Sequence, residues 1–349
     1  MEMEKRNFIK ILGLSSAALV LGSNNESVAT QNLKKIKAAR LNTGDTVRII
    51  ASGTAVNDPD DLQKAAEVIQ GLGLVPKYSG NLLKGSGYKT RTVKERVQDL
   101  HDSFLDKQAK AVFSMRGGYG TGQLLDSIDY HIIKSNPKIF CGYSDVTALH
   151  SAINTKTGLV TFHSPVLLSA FTPYTQEYFS RLLFNTSDNL VLTNPSGKSG
   201  LRALYPIRTI NAGQATGELV GGNLSLISSL VGTDYQIDAK GKILMLEDVG
   251  EAPYRIDRMM NQLRLSGILS KAAAVVFGKC NDCKSGVEQN TWDLSLGEVL
   301  DYYLKPLQVP VFYGLMFGHT PEQITIPLGC RATVDSEQGT ITLLESPVE

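Results

Sequence analysis

Lys138-Ile139-Phe140-Cys141-Gly142-Tyr143-Ser144-Asp145-Val146 runs from an apolar stretch through a glycine turn into a helix-like segment ending at Ile153. That order reads as strand, tight turn and helix, the repeating unit of a parallel sheet. A serine at such a turn has its hydroxyl held clear of the sheet edge, with the first helix amides aimed at whatever it attacks. This is the geometry that acyl transfer needs. The fifth position is Val146, so the Gly-x-Ser-x-Gly pattern is half met.

Working outward, the same alternation continues on the N-terminal side. Thr46 to Ala51 reads as a strand, Asp60 to Gln70 as an amphipathic helix opened by aspartates, and Gly73 to Pro76 as its exit into a second strand. A helix over Thr92 to Leu105, the strand Ala111 to Met115, a glycine-rich turn and a helix over Gln123 to Ile128 lead back to the strand ending at Cys141. Leu159 to Phe162 adds a strand, and Ala170 to Phe184 a helix. The expectation is an α/β fold whose N-terminal domain, residues 40–184, is a parallel sheet of flavodoxin or Rossmann type with its loops at the carboxyl edge.

Residues 185–202 turn rich in Asn, Ser, Thr and Gly and read as a linker. Beyond them, residues 203–349 are expected to form a β-rich α+β domain. Its strands are Ala203 to Ile210, Gly217 to Val220, Ile243 to Leu246, Ala273 to Phe277, Val311-Phe312, Ile324 to Ile326 and Gly339 to Leu344. Helices over Pro253 to Leu265 and Ser295 to Leu304 interrupt them.

The 349 residues are 42% hydrophobic and 20% charged, enough for two ordinary cores. A formal net charge of +1 gives no field for holding nucleic acid or steering to an acidic membrane. The N-terminus differs from the rest: basic Lys5 to Lys10, an apolar Ile11 to Gly22, and small residues at Ser27-Val28-Ala29. This is the three-part pattern of an export signal over residues 1–29, twin-arginine-like, and it implies a periplasmic location, with a cytoplasmic one as the alternative. Of the four cysteines only Cys280-Asn281-Asp282-Cys283 has a meaningful spacing. Two ligands make half a zinc site with nothing to complete it, so a loop disulfide or a pair of plain thiols is expected, with no metal.

A serine nucleophile needs a base. His101 and His131 lie on or beside helices away from the turn, and His150 is six residues along the same helix as Ser144, well around it. His163, after a strand, and His319, at the end of the strand-like Val311 to Phe317, remain, with His319 preferred for the glycine beside it. The apolar run Ile243 to Leu246 delivers Glu247-Asp248, either of which could orient an imidazole or simply accept hydrogen bonds from its own loop. Arg116-Gly117-Gly118-Tyr119-Gly120 lacks the spacing of a phosphate loop, since Gln123 stands where a glycine is required. Its glycines are expected instead to let backbone approach a substrate, with one amide serving as an oxyanion donor beside that of Asp145; the alternative is a tight turn with no ligand.

Taken in order, Arg116-Gly117-Gly118-Tyr119-Gly120, Gly142-Tyr143-Ser144-Asp145, Gly221-Gly222-Asn223-Leu224, Leu246-Glu247-Asp248 and Phe317-Gly318-His319 resemble the LD-carboxypeptidase family of serine peptidases. The resemblance runs from about Thr46 to the C-terminus. It implies a catalytic triad of Ser144, Glu247 and His319 and an oxyanion hole from the Asp145 amide and that of Gly118, with Gly117 as the alternative. It also implies a homodimer with no cofactor, acting on a murein peptide or, as in microcin-immunity relatives, on a peptidyl nucleotide. Arg116 is the nearest cation by sequence for a substrate carboxylate, with a purely structural salt bridge as the equal alternative. Two departures stand out: His163-Ser164-Pro165 where the family has His-Gly-Pro, and the Cys280-x-x-Cys283 loop, which is foreign to the family pattern.

Overall fold

The computed structural model describes residues 33–349 apart from 57, 85–90, 187 and 285–293; the leader reading over residues 1–29 lies outside the described residues. Leu33–Glu349 forms one compact unit.

Among the described residues, the first sheet contains β1 (Thr46–Ile50), β2 (Val75–Tyr78), β3 (Ala109–Ser114), β4 (Ile139–Gly142) and β5 (Thr161–His163). These five are parallel in the order β2-β1-β3-β4-β5, the flavodoxin-like winding. Inside the edge strand β2, the strands β1, β3, β4 and β5 are largely buried on both faces because crossover helices cover both. Val47, Ile49, Ala111 and Phe113 join one apolar cluster, while Ile50 and Val112, pointing the other way along the pleat, join another. The helices start where the chain supplies caps. Asp58 accepts from Asp60 N ahead of Pro59, and Thr92 and Glu95 form a reciprocal capping box for Val93–Leu105. The helix expected over Gln123 to Ile128 is instead a 3-10 segment, Thr121–Ser127, followed by a short helix, Tyr130–Ser135.

The second sheet takes its strands from the remainder of the chain: β6 (Val191–Leu192), β9 (Arg208–Asn211), β10 (Gln214–Asn223), β11 (Ile243–Glu247), β12 (Ala274–Gly278), β13 (Val311–Leu315), β15 (Arg331–Asp335) and β16 (Thr340–Leu343). A small ribbon, β7 (Lys198–Ser199) with β8 (Arg202–Ala203), precedes β9. The order is β6-β16-β15-β10-β11-β12-β13-β9. The sheet is β-rich as expected, but β10 to β13 at its centre are parallel, joined by helices that include Leu224–Ser229 and Ile268–Lys271, neither foreseen from periodicity. Both are too short to show a helical period. Leu244 and Leu246 face one cluster, Ile243 and Met245 the other, so β11 is a true interior strand.

The expected strand at Ile324 to Ile326 falls at β14 (Ile326–Leu328), which pairs antiparallel with β5 at the edge of the first sheet. The chain therefore returns to the first sheet immediately after the His319 segment. Tyr178 and Leu182, from the helix Pro173–Leu183, lie in the same cluster as Met245, Phe312 and Ile326, so one apolar core is shared by the two sheets.

Candidate active site

Each functional side chain leaves the carboxyl end of a parallel strand, the edge where open α/β sheets bind ligands. Ser144 follows β4 and holds φ at +63°, a left-handed conformation rare for a residue with a side chain. Such strain is of order 1–3 kcal/mol and persists where surrounding contacts over-determine it. Those contacts are visible. His150 Nε2 lies 2.8 Å from the carbonyl of Gly142; a carbonyl only accepts, so that nitrogen carries the proton. Burial pushes the His150 imidazole down to about 3, which keeps it neutral in this bracing role.

Glu247 ends β11 and is wholly buried; His319 lies four residues beyond β13. The tertiary fold brings the three side chains into one row. Ser144 Oγ is 3.1 Å from His319 Nε2, and His319 Nδ1 is 2.8 Å from Glu247 Oε2. The carboxylate can only accept, so Nδ1 carries the imidazole proton and Nε2 presents its lone pair to the serine hydroxyl. The backbone N–H of His319 also donates to Glu247 Oε2, at 3.3 Å. Gly318 makes this possible: at φ +86° its missing Cβ would sit 2.2 Å from Glu247 Oε2. The glycine beside the histidine makes room for the carboxylate rather than for the ring.

The rival base, His163, is also present, on the other side of Glu247. It is fully buried, with Nε2 3.6 Å from Glu247 Oε1, longer than a formed hydrogen bond. Among the described residues, neither ring nitrogen of His163 nor Oε1 of Glu247 has another partner. Glu247 is thus flanked by two imidazoles, one aimed at the nucleophile and one behind. Burial by itself drives a carboxyl upward, yet the hydrogen bonds from His319 and the facing imidazole of His163 outweigh it and hold Glu247 at about 2. It is ionised throughout the physiological range.

Asp248, the other acidic candidate, points elsewhere. It accepts from Asn223 Nδ2 (3.2 Å), Ser225 N (2.9 Å), Ser225 Oγ (2.8 Å) and Val249 N (2.9 Å), fastening the end of β10 and the start of the helix Leu224–Ser229 to the end of β11. Its burial and the neighbouring Glu247 charge raise its pKa. The two carboxylates differ in direction, as adjacent residues of an extended chain do: Glu247 meets the imidazole of His319, and Asp248 meets Ser225 and Asn223.

The glycine-rich turn after β3 lies against the serine. A Cβ on Gly117 would come within 2.9 Å of Ser144 Cβ, so the peptide joining Gly117 to Gly118 passes beside the nucleophile. Two buried side chains brace this turn, and sequence reading did not single out either for that task. The Asp145 carboxylate accepts from Thr121 N at 2.8 Å. Arg96 donates to the carbonyls of Ser52 (2.8 Å) and Gly120 (2.9 Å) and to Gln123 Oε1 (3.0 Å). The signal for Asp145 was there: a carboxylate on a buried turn needs donors. Arg96 looked like any charged residue of an amphipathic helix. A cleft of about 260 Å³ opens over Ser144, lined by Arg116, Tyr143, Val166, Leu168, Ser169 and His319. Arg116 stands at its wall, with a 3.4 Å contact from its guanidinium to the carbonyl of Ala55.

Residues 47–164 match the LD-carboxypeptidase N-terminal domain, and residues 216–334 match the LD-carboxypeptidase C-terminal domain. The chain belongs to the LD-carboxypeptidase family. It is a peptidase hydrolase of the carboxypeptidase kind. One relative, named "Probable murein peptide carboxypeptidase" from Bacillus subtilis, is 38% identical over 312 residues, covering 88% of this chain and 94% of the relative. The microcin C7 self-immunity protein MccF of Escherichia coli is 29% identical, covering 88% and 95%. Among solved structures, MccF in complex with glutamyl sulfamoyl guanosine superposes with a TM-score of 0.80 at 27% identity, over 90% of this chain and 99% of that one. The muramoyltetrapeptide carboxypeptidase from Oxalobacter formigenes gives 0.72 at 30% identity, over 85% and 97%. The fold of this LD-carboxypeptidase, a parallel-strand sheet with a curled β-rich second sheet, is that of both neighbours.

Proposed function

We propose that this carboxypeptidase is of the serine type and releases the C-terminal D-alanine of murein tetrapeptides, cutting the bond that follows an L-configured centre. The observation that carries the reading is the row Ser144–His319–Glu247, with contacts of 3.1 and 2.8 Å and the imidazole tautomer fixed by a buried carboxylate. Ser144 Oγ attacks the scissile carbonyl carbon while His319 Nε2 takes its proton. Glu247 stabilises the imidazolium. The amides of Asp145 and Gly118 receive the developing oxyanion, each worth roughly 3 kcal/mol to the transition state. His319 then hands its proton to the departing amine of D-alanine, and water releases the acyl group by the same relay in reverse. Arg116 at the cleft wall takes the free carboxylate of the substrate as a charge-assisted partner.

The likeness to MccF favours one second reading, hydrolysis of a peptidyl or aminoacyl nucleotide. Incubating the purified protein with murein tetrapeptide and with a peptidyl-nucleotide analogue separates the two. D-alanine release is expected from the first and is expected to vanish in Ser144→Ala, by at least about 10⁴-fold. Turnover of the nucleotide analogue alone would sink the murein reading. Release undiminished in Ser144→Ala would sink the serine mechanism. The proposal also includes export by the leader and assembly as a homodimer. N-terminal sequencing of periplasmic protein checks the first, and light scattering in solution checks the second; a full-length cytoplasmic product or a monomer would refute the respective part.

A further inference from the structure

The tetrapeptide Cys280-Asn281-Asp282-Cys283 is closed by a Cys280–Cys283 disulfide and takes no part in the chemistry above. It nevertheless touches the exits of both strands that deliver the charged partners of Ser144. Asn281 Nδ2 donates to the backbone carbonyl of His319 itself. The carbonyl of Asn281 accepts from Gly250 N at 2.9 Å, and Val249 pairs with Asn281 in a parallel bridge. Val249 and Gly250 follow Glu247 by two and three residues. On its other side the loop is anchored. Cys280 N donates to the hydroxyl of Tyr313, on the strand leading to His319, at 3.4 Å. Both sulfur-bearing residues are at least nine-tenths buried, in the same apolar cluster as Leu246 and Phe277.

An asparagine under the backbone of a catalytic histidine controls where that histidine sits, because the imidazole is only two bonds from the Cα that the carbonyl fixes. Asn281 can do this only while its own turn is fixed. Asp282 beside it holds φ at +53°, a conformation that a free tetrapeptide populates rarely. The disulfide supplies the closure that holds it.

We propose that Asn281 is a positioning residue for His319 and that the Cys280–Cys283 disulfide is a redox-dependent clamp that keeps it in place; this rests on the proposed role of His319. Oxidised, the turn ties the exits of β11 and β13 together. Reduction by a small dithiol breaks the S–S bond: the dithiol delivers two electrons and two protons, two cysteine thiols form, and the dithiol closes to its own disulfide. Asn281 is then released, and His319 Nε2 loses its fixed distance to Ser144. Cys141 and Cys330, buried and unpaired, are already thiols and do not respond.

The test uses the full chain, oxidised or treated with dithiothreitol, with two readouts: D-alanine release and the rate at which a fluorophosphonate labels Ser144. Asn281→Ala and reduced wild type are each expected to lose about 10- to 100-fold in kcat and in labelling rate with KM nearly unchanged. Reoxidation restores both rates. The double variant Cys280→Ser/Cys283→Ser starts at the reduced level and ignores the dithiol. Equal rates for oxidised and reduced wild type would overturn the proposal, and so would a loss carried by KM. Collapse of the far-ultraviolet circular dichroism on reduction would overturn it too, since the bond would then hold the fold and not the histidine. Clamped labelling without any D-alanine release upholds the clamp and counts against the murein reading instead.

Discussion

The two sheets of this enzyme contribute to one site in different ways. The first supplies Ser144 and its surroundings from neighbouring stretches of chain: Ser144 on the turn after β4, braced by His150 eight residues beyond the Gly142 carbonyl it holds. The second supplies Glu247 and His319, which are 72 residues apart in sequence and meet only because β11, β12 and β13 lie side by side in register. The placing of Ser144 is a matter of local turn geometry, whereas the contact between Glu247 and His319 depends on long-range strand pairing.

Three substitutions probe that contrast. The largest effect is expected from Glu247→Gln, which keeps the shape but offers an amide where the histidine needs an acceptor. The rate of D-alanine release is expected to fall by about 10⁴-fold, as when the orienting carboxylate of a triad is lost. The same variant carries a stability signature. The carboxyl is held at about 2, below its ordinary 4.5, so its charge stabilises the fold above pH 4.5 and that contribution is lost as the pH falls through 2. Denaturant titrations should show wild type losing stability relative to the Gln variant across that window. A constant difference would mean that the charge is not held by the fold.

A smaller loss is expected from Gly318→Ala, which tests whether long-range register is guarded by one missing methyl group. The new Cβ would overlap Glu247 Oε2, so the carboxylate must shift. Activity should drop about 10²-fold, the loss that a displacement near 1 Å brings. Retention of full activity would show that the contact is slack. The smallest is expected from His163→Ala, which leaves Oε1 of buried Glu247 with no facing imidazole. A roughly tenfold fall in kcat with KM unchanged is expected, and steady-state kinetics on the two proteins decides it. A loss as large as that of Glu247→Gln would make His163 a member of the relay in its own right.

The same contrast explains what could be read in advance. Strands such as Ile243 to Leu246 and helices with caps such as Thr92–Glu95 announce themselves, because an apolar run or a capping box is a local property. Arg331–Asp335 does not announce itself as a strand: Arg331, Thr333 and Asp335 alternate with buried Ala332 and Val334 over too short a span to stand out. The roles of His163 and Asp248 were equally hidden, since nothing in their own neighbourhoods says which carboxylate oxygen they will face. The separate fates of Glu247 and Asp248 follow from strand pleat and from what packs on each face.

By itself the sequence determined the parallel α/β winding, the serine on its turn and, through a family resemblance, the residues to be brought together. Periodicity and turn chemistry act over a few residues, and so they are written in the order of the chain. Only the tertiary structure decided that Ser144 would meet His319 across two sheets, that a second imidazole would stand behind Glu247, and that a disulfide loop would reach His319. Those contacts are set by strand register and shared packing, which no single stretch of chain contains.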